Sequence, residues 1–528
     1  MRKLLFLSIV FLQLNACKSV DNYNAQITKL HTVEDLHSDI DKLYKQLQKN
    51  HPKLYQYTPK ETLDFKFDSL KKSIKSPMNS RAFYKVLAPV VANVRQGHVA
   101  VGSVSKQFKR KERKALLKQK FQFYNLDFEY LNNKLWVIAN RGKDSILVGS
   151  EVVTIAGEPT EKIVETLKTR FASDGFNTTL HNRFVSKGFT TFYYKEKGFL
   201  DSLQVTFKKN DSVFTKTLKR IAKNEKKKKV ITDSLKEEAP KKLTKAEKKA
   251  LKIAKKARKK YNKKHGYISK RKQYTRNFNF IGTDSSVAYM KIRSFTNGNY
   301  KKFYQESFAK MDSLQTKNFI LDLRDNGGGR IAEIYKLYSY LTDKEYQFIL
   351  KSEVNSRTPF FKYAFSNTSP ISMKIFGGLV SPVILVQNLL RTKKENGKIY
   401  YKFKWAKQGK PNPLNYKGNM YVLINGNSFS ASSLLSTHLQ ATKRATFVGE
   451  ETGGAYNGTV AGIYKNYKLP NTQLKVRMGL MQIEAPYKQK PDGFGIKPDV
   501  EILPTIQHRQ QNIDPELQWV LNKLGKAE

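Results

Sequence analysis

The 528-residue chain contains one cysteine, at position 17. The body beyond it has no thiol, which excludes disulfides, thiolate metal sites and cysteine catalysis there together. Acidic residues are scarce as well, 44 against 97 Lys and Arg, leaving a formal net charge of +53. No apolar run reaches the ~20 residues needed to cross a bilayer. There is neither a P-loop Lys-Ser/Thr nor a spaced G-x-G-x-x-G, so a nucleotide-phosphate cradle is not indicated. No internal repeat is present, and the length allows about three domains.

What is present begins at the N-terminus, "MRKLLFLSIVFLQLNACKSV". Arg2 and Lys3 precede a nearly continuous apolar run from Leu4 to Leu12, too short to span and suited to export. Cys17 directly follows Leu14-Asn15-Ala16. The arrangement resembles a bacterial lipoprotein lipobox, which implies a signal over residues 1–17 and lipidation of Cys17. The implied location is a bacterial cell envelope, with the mature body lipid-anchored at the periplasmic or outer-membrane face.

Much of the positive charge is local. Residues 223–272 hold 22 Lys/Arg against 5 Asp/Glu, an excess of 17. Within them Leu243, Ala246, Ala250, Ile253, Ala254 and Ala257 recur at helical spacing, with a Thr244/Glu247 capping box. Lysine arrays can neutralise nucleic-acid phosphates. Here aromatics are few, no recognition motif appears and the export signal points away from nucleic acid. The run reads as a solvated basic helix inserted between domains and a candidate contact for anionic lipid headgroups.

Residues 32–94 read as helices, with a cap signal at Ser80, and "RQGHVAVGSVS" shortens toward a strand period. From about 120 to 220 short strands predominate, interrupted by one helix at "TEKIVETLKTRF". After the lysine run, strands and helices alternate through "SVAYMKIRSF", "NFILDL", "IAEIYKLYSYL" and residues 420–424. That order predicts an α/β core with largely parallel strands. The domain divisions expected are a helical region over 32–107, a β-rich module over 108–221, the lysine-rich insert over 222–273 and the α/β core over 274–528.

Two stretches carry chemistry. "VLINGNSFSASSLLSTHLQA", residues 422–441, crowds serines where a buried strand gives way to a helix. Serines there cap the helix by accepting from its free first-turn amides. Alternatively, one of them is a nucleophile placed where those amides and the helix dipole could stabilise an oxyanion. "LDLRDNGGG" sets Gly327, Gly328 and Gly329 between a strand and a helix. These glycines make either a tight turn or a loop whose amides are free to meet developing negative charge.

Together with "RATFVGEETGG" and the closing "GIKPDVEI", these stretches resemble the C-terminal processing (tail-specific) serine protease family. "GSEVVTIAGEP" is similar to the middle of that family's PDZ module, and "HPKLYQYT" with "VRQGHVAV" to its envelope-anchored members. The resemblance implies a multidomain α/β fold: an N-terminal helical region, a PDZ-like β-rich module and a protease core with a mostly parallel sheet. It makes Ser430 the nucleophile. Where the better-known branch has a lysine base, this chain has Ala455; His98 matches the histidine of the tricorn-core-like branch.

His438 lies eight residues beyond Ser430 on one helix, roughly 12 Å away at 1.5 Å per residue, and cannot serve as the base. For the third member, Glu484, Asp492 and Asp499 are available, and Asp492 is chosen as nearest the branch's glutamate. Gly97 stands where that branch can carry a helper serine. The oxyanion donors implied are Ala431 with Gly327 or Gly328. Neither metal nor cofactor is implied.

The expected partners are a polypeptide substrate, a membrane through the N-terminal lipid, and no nucleic acid. Two other functions are weighed. A catalytically silent peptide-binding member of the fold would tolerate loss of Ser430 or His98, whereas this chain keeps both. A basic surface-binding protein would act through residues 223–272.

Overall fold

The computed structural model describes residues 19–142, 144–223, 244–282, 286–296 and 298–525. Cys17, the export signal and residues 224–243 of the lysine-rich insert lie outside the described residues.

The C-terminal half is built on a sheet of six strands, β1 (Arg276–Ile281), β2 (Val287–Ile292), β3 (Asn318–Asp322), β4 (Asn419–Ile424), β5 (Thr446–Gly449) and β6 (Val500–Glu501), hydrogen-bonded in that order. Only β1–β2 is antiparallel; every other neighbour pair is parallel. β3 and β4 read as continuous apolar runs because both sheet faces are covered. One face carries Phe319, Leu321, Val422 and Ile424 into the main core. The other carries Ile320, Tyr421 and Leu423 against the C-terminal helix Pro515–Lys523. The expectation of largely parallel strands therefore holds for this sheet. The other two large sheets are antiparallel, so most strand pairing in the chain is antiparallel. Their strands are joined by turns as short as Asn210-Asp211, a connection that only antiparallel neighbours permit.

Three N-terminal helices, Val33–Asn50, Lys60–Ser73 and Ser80–Ala92, bury Leu36, Leu43, Phe67, Phe83 and Leu87 in the same core as this six-stranded sheet. The third is capped by Asn79, whose Oδ1 accepts from the amides of Arg81 and Ala82; Ser80 is its first helical residue. The chain then turns through Gly97-His98 into the strand Ala100–Gly102. That strand pairs with Lys475–Ile483 in a second sheet, which also holds Thr459–Lys468. This pairing brings His98, from the first hundred residues, against Phe429 of the C-terminal half.

Residues 119–222 form a seven-stranded antiparallel sheet with its own core of Phe123, Phe128, Val137, Ile155, Val205 and Phe207. Three helices pack on it, not one: Thr160–Lys168, Thr179–Lys187 and Phe189–Lys197. The latter two are short, and the last, "FTTFYYKEK", is rich in Thr, Phe and Tyr, which favour strands locally; burial of Val185, Phe189 and Phe192 decides for helix. Arg183 fastens this module to the core. Its Nη1 lies 2.7 Å from Glu129 and its Nε 2.7 Å from Glu450, all three side chains being buried. Removing one partner of such a group strands a buried charge.

The lysine-rich insert contains the helix Lys245–His265, started by the Thr244/Glu247 capping box and ended by Gly266 in the left-handed conformation. None of its residues through Lys260 is buried. Its C-terminal end, however, belongs to the core. The Lys263 carbonyl accepts from Asn299 N, the Lys264 carbonyl accepts from the buried Arg276 at 2.5 Å, and His265 meets Phe303 edge to face. Replacing residues 224–258 with a flexible Gly/Ser bridge is expected to leave the melting temperature within a few degrees of the parent. Extending the cut through Gly266 removes partners of a buried guanidinium and is expected to cost about 2–3 kcal/mol or more. Equal losses from the two cuts, read by thermal denaturation, would contradict this division.

Candidate active site

β4 ends at Ile424, and the chain reverses through Asn425–Phe429 before the helix Ala431–Ala441 begins. Ser430, at the junction, has φ +59° and ψ −115°, a backbone conformation strained for any side chain with a Cβ. The neighbouring polar side chains hold it there. Ser428 Oγ donates to Leu323 O, Ser432 Oγ to Asn326 O and Ser433 Oγ to Ser428 O. Asn425 Oδ1 accepts from the amides of Asp325 and Asn427. The crowding of serines is thus explained: several brace the turn against the glycine loop. Ser430 Oγ neither caps the helix nor bonds to any other of the described residues.

The glycine loop runs against this turn. A Cβ at Gly328, whose φ is +95°, would lie 2.8 Å from Ser430 Cβ and 2.7 Å from Phe429 O, so only glycine fits. Gly328 N–H donates to Asn326 Oδ1, which commits it. Among the described residues the amides of Gly327, Gly329 and Ala431 have no acceptor. Gly329, Ser430 and Ala431 line one cavity of about 510 Å³. The loop's root is fixed by Asp322. Its carboxylate takes Lys291 and Arg324, whose charges hold it well below the usual carboxylate range against the opposing effect of burial.

His98 lies with its ring between Phe429 (centroids 4.9 Å apart) and Tyr464 (5.6 Å). The structure thus brings it against the residue preceding Ser430, although no hydrogen bond joins His98 to Ser430. Catalytic hydrogen bonds commonly tighten only in the substrate complex. Thr459 and Tyr464 sit five apart on one strand, a spacing that would point them to opposite faces. A one-residue bulge between Ala461 and Tyr464 restores them to the same side. Gly97 is required as well, since a Cβ there would meet the Phe429 ring at 2.6 Å. A helper serine at this position has no room.

His98 Nδ1 is 3.1 Å from Thr459 Oγ1, and Thr459 Oγ1 donates to Asp174 Oδ1 at 3.1 Å. A hydroxyl has one proton to give, so Thr459 must accept from Nδ1–H, which leaves the lone pair on Nε2. That is the tautomer a general base requires. Burial pushes the imidazole down to about 3, helped by Arg477 and His51, so the ring is neutral near pH 7. Burial pushes the Asp174 carboxyl up to about 6, opposed by hydrogen bonds from Gly97 N, Thr459 and the Ala455 amide. Asp174 also lines the cavity, and its Oδ2 is buried without a partner.

Asp174 was not among the sequence candidates. It stands in "FASDGFNTT", a polar Asp-Gly turn like any surface turn. Its only distinguishing mark is Gly175, at φ +71° with the Gly493 backbone where a Cβ would be. Asp492 is placed elsewhere. Its carboxylate accepts from Asn457 Nδ2 (2.9 Å), Gly493 N (2.7 Å) and Gln56 Nε2 (3.0 Å), bracing the loop that covers Gly175, and it makes no hydrogen bond to His98. Glu484 pairs with Lys488, and Asp499 accepts from Phe447 N. Ala455 lines the cavity beside Ser430. His438 is buried against Phe348, its Nε2 2.7 Å from that residue's carbonyl, away from the cavity.

No curated protein matches the sequence. Among solved structures, mature CPAF complexed with lactacystin is similar over 94% of this chain and 98% of its own, at 15% identity and a TM-score of 0.60. Mature CPAF alone is similar over 94% and 97%, at 14% identity and a TM-score of 0.59. At these identities the likeness concerns the fold. The sequence of residues 286–502 matches the family model described as Peptidase family S41. That segment includes the glycine loop, Ser430 and Thr459, and through it the chain carries a domain of peptidase family S41, a family of serine peptidases.

Proposed function

We propose that the protein is an endopeptidase that cleaves polypeptides through an acyl-enzyme on Ser430, with His98 as general base. The observation that carries this is the Ser430 hydroxyl. It stands on a strained strand-to-helix turn, without a partner, in one cavity with Asp174 of the Asp174–Thr459–His98 chain. Ser430 Oγ attacks the peptide carbonyl and its proton passes to His98 Nε2. The oxyanion meets the Ala431 amide and one from Gly327 or Gly329. His98 then protonates the leaving amine, and water releases the acyl group. Asp174 and Thr459 act as positioning residues, fixing the tautomer and stabilising the imidazolium.

The cavity favours an apolar substrate side chain. Ile331, Phe360, Phe403, Trp405, Leu434 and Ile463 line it, with Arg330, Arg391 and Lys404 as its cations and Asp174 as its only acid. The substrates we infer are polypeptides of a bacterial envelope, met by a protein anchored through lipid on Cys17. The exposed lysine-rich helix adds attraction to anionic headgroups, and the module over 108–221 would receive an extended chain by strand addition.

Quenched-fluorescence peptides that differ only at one central residue test the reading. Those with Phe or Leu there are expected to be cleaved at least tenfold more efficiently, in kcat/KM, than those with Lys or Asp. If no peptide is cleaved while wild type and Ser430→Ala bind peptides equally, the silent-binding reading stands instead.

A further inference from the structure

Between Ile371 and Arg391 the chain forms two short helices, Ile371–Leu379 and Ser381–Arg391, joined at Val380. On the second, Val383, Val386 and Leu390 recur at spacings of three and four, the pattern of a helix face that seeks a core. Here that face is turned outward. Leu379 is 77% exposed, Val383 73%, Val386 56% and Leu390 82%, while polar Asn388 points inward. A contiguous exposed apolar stripe of this kind marks an interaction surface.

Two observations identify what it meets. Residues 371–410 contain nine Lys/Arg and a single acid, Glu395, so the apolar stripe is followed by a basic collar that includes exposed Lys393, Lys394 and Lys402. The root of the hairpin and the N-terminal helix Val20–Thr28 are also fastened to the same turn of the second sheet. Asn367 Nδ2 donates to Lys468 O at 2.7 Å and Thr368 Oγ1 to Asn466 O at 2.8 Å, while Gln26 Nε2 donates to Asn471 O at 2.9 Å. The N-terminal end of the described chain and the apolar hairpin therefore lie at one end of the molecule.

We propose that the hairpin 371–391 docks on an anionic membrane surface, seating Leu379, Val383, Val386 and Leu390 at the acyl boundary with the basic collar among the headgroups. Among the described residues no helix is long and apolar enough to cross a membrane, so the hairpin lies in the interface and does not span it. Gln387 and Arg391 of the second helix line the substrate cavity, which docking would place beside the bilayer. The inference stands apart from the peptidase reading.

Tryptophan placed in the full chain by Val383→Trp or Leu390→Trp reads the hairpin directly, whatever else holds the protein to lipid. The probe is vesicles of phosphatidylcholine and phosphatidylglycerol, three to one, with and without bromine on the acyl chains. Emission of the added tryptophan, taken as the difference from the parent, is expected to fall at least twofold on brominated vesicles and less on pure phosphatidylcholine. The serine variant Leu379→Ser/Val386→Ser/Leu390→Ser, carried with Val383→Trp, is expected to lose that quenching while cleaving soluble peptides normally. Vesicle-bound protein whose added tryptophan is unquenched would overturn the proposal. So would a doubled solution mass that the serine variant abolishes, which would give the surface to a second copy of the chain.

Discussion

Ser430→Ala is expected to lower peptide turnover by about 10⁵–10⁶-fold, the scale on which serine proteases lose activity without their nucleophile. The size follows from the geometry. Ser428, Ser432 and Ser433 are spent on Leu323 O, Asn326 O and Ser428 O, so none can replace Ser430 at the cavity. Ser432→Ala and Ser433→Ala should instead cost about 1 kcal/mol of stability each and leave most of the activity. His98→Ala is expected to cost on the order of 10³-fold or more in kcat, the scale on which a triad loses activity without its base. Steady-state kinetics on one quenched peptide separates these outcomes. Wild-type turnover in His98→Ala would move the general base to Asp174, whose unpartnered Oδ2 lies in the same cavity.

The second large effect is a divergence between activity and stability at Asp174. Its carboxyl is pushed up from 3.8 to about 6 by burial, so ionising it in the folded protein is unfavourable. At 1.36 kcal/mol per pKa unit the penalty is on the order of 3 kcal/mol above pH 6. The sign is that of a raised group. The folded state is free of the penalty below the unfolded value near 3.8 and loses stability as pH rises to about 6. Asp174→Asn keeps an acceptor for Gly97 N and Thr459 and removes the charge. Its melting temperature should match the parent near pH 4 and exceed it by several degrees at pH 7–8.

Its turnover should fall by about 10²–10⁴-fold, the cost of losing the carboxylate that orders a catalytic histidine. In the parent, activity should rise with pH through about 6 as Asp174 ionises. His98, held near 3, is already neutral there and contributes no limb in that range. Asp174→Asn should lose the limb. Thr459→Val, which breaks the same chain but keeps the titratable carboxyl, should lower kcat and, by removing a hydrogen bond that favours the ionised form, move the limb to higher pH without abolishing it. An unchanged pH profile in Asp174→Asn, or a fall in its stability at pH 8, would assign Asp174 a purely structural role.

How far the sequence reveals this site follows from how each residue is specified. The strands at "KLWVIAN" and "NFILDL" and the helix after Ser430 are legible because their periodicity and burial agree. The Thr244/Glu247 capping box is legible because capping is local chemistry. Helices Thr179–Lys187 and Phe189–Lys197 are not, since both are short, the second prefers strand locally, and packing decides. Ser430 and His98 are candidates because they stand in stretches that resemble a known family.

Asp174 could not be reached in that way. It meets Thr459 across 285 residues, and nothing around it in sequence separates it from a solvent-exposed Asp-Gly turn. Asp492 is a sequence candidate because it stands in a motif. The motif's role in the structure is to hold Gly493 and Gln56 over the Asp174 loop. A relay assembled from three distant segments leaves no local periodicity to read.

The account turns on one oxygen atom, and one measurement reaches it most directly. The full protein is treated with a fluorophosphonate probe, digested and mapped by mass spectrometry. The account predicts a single phosphonylated residue, Ser430, with labelling abolished in Ser430→Ala and greatly slowed in His98→Ala and Asp174→Asn. Labelling at Ser428, Ser432, Ser433 or any other residue, or peptide hydrolysis that persists with Ser430 unlabelled, would contradict it.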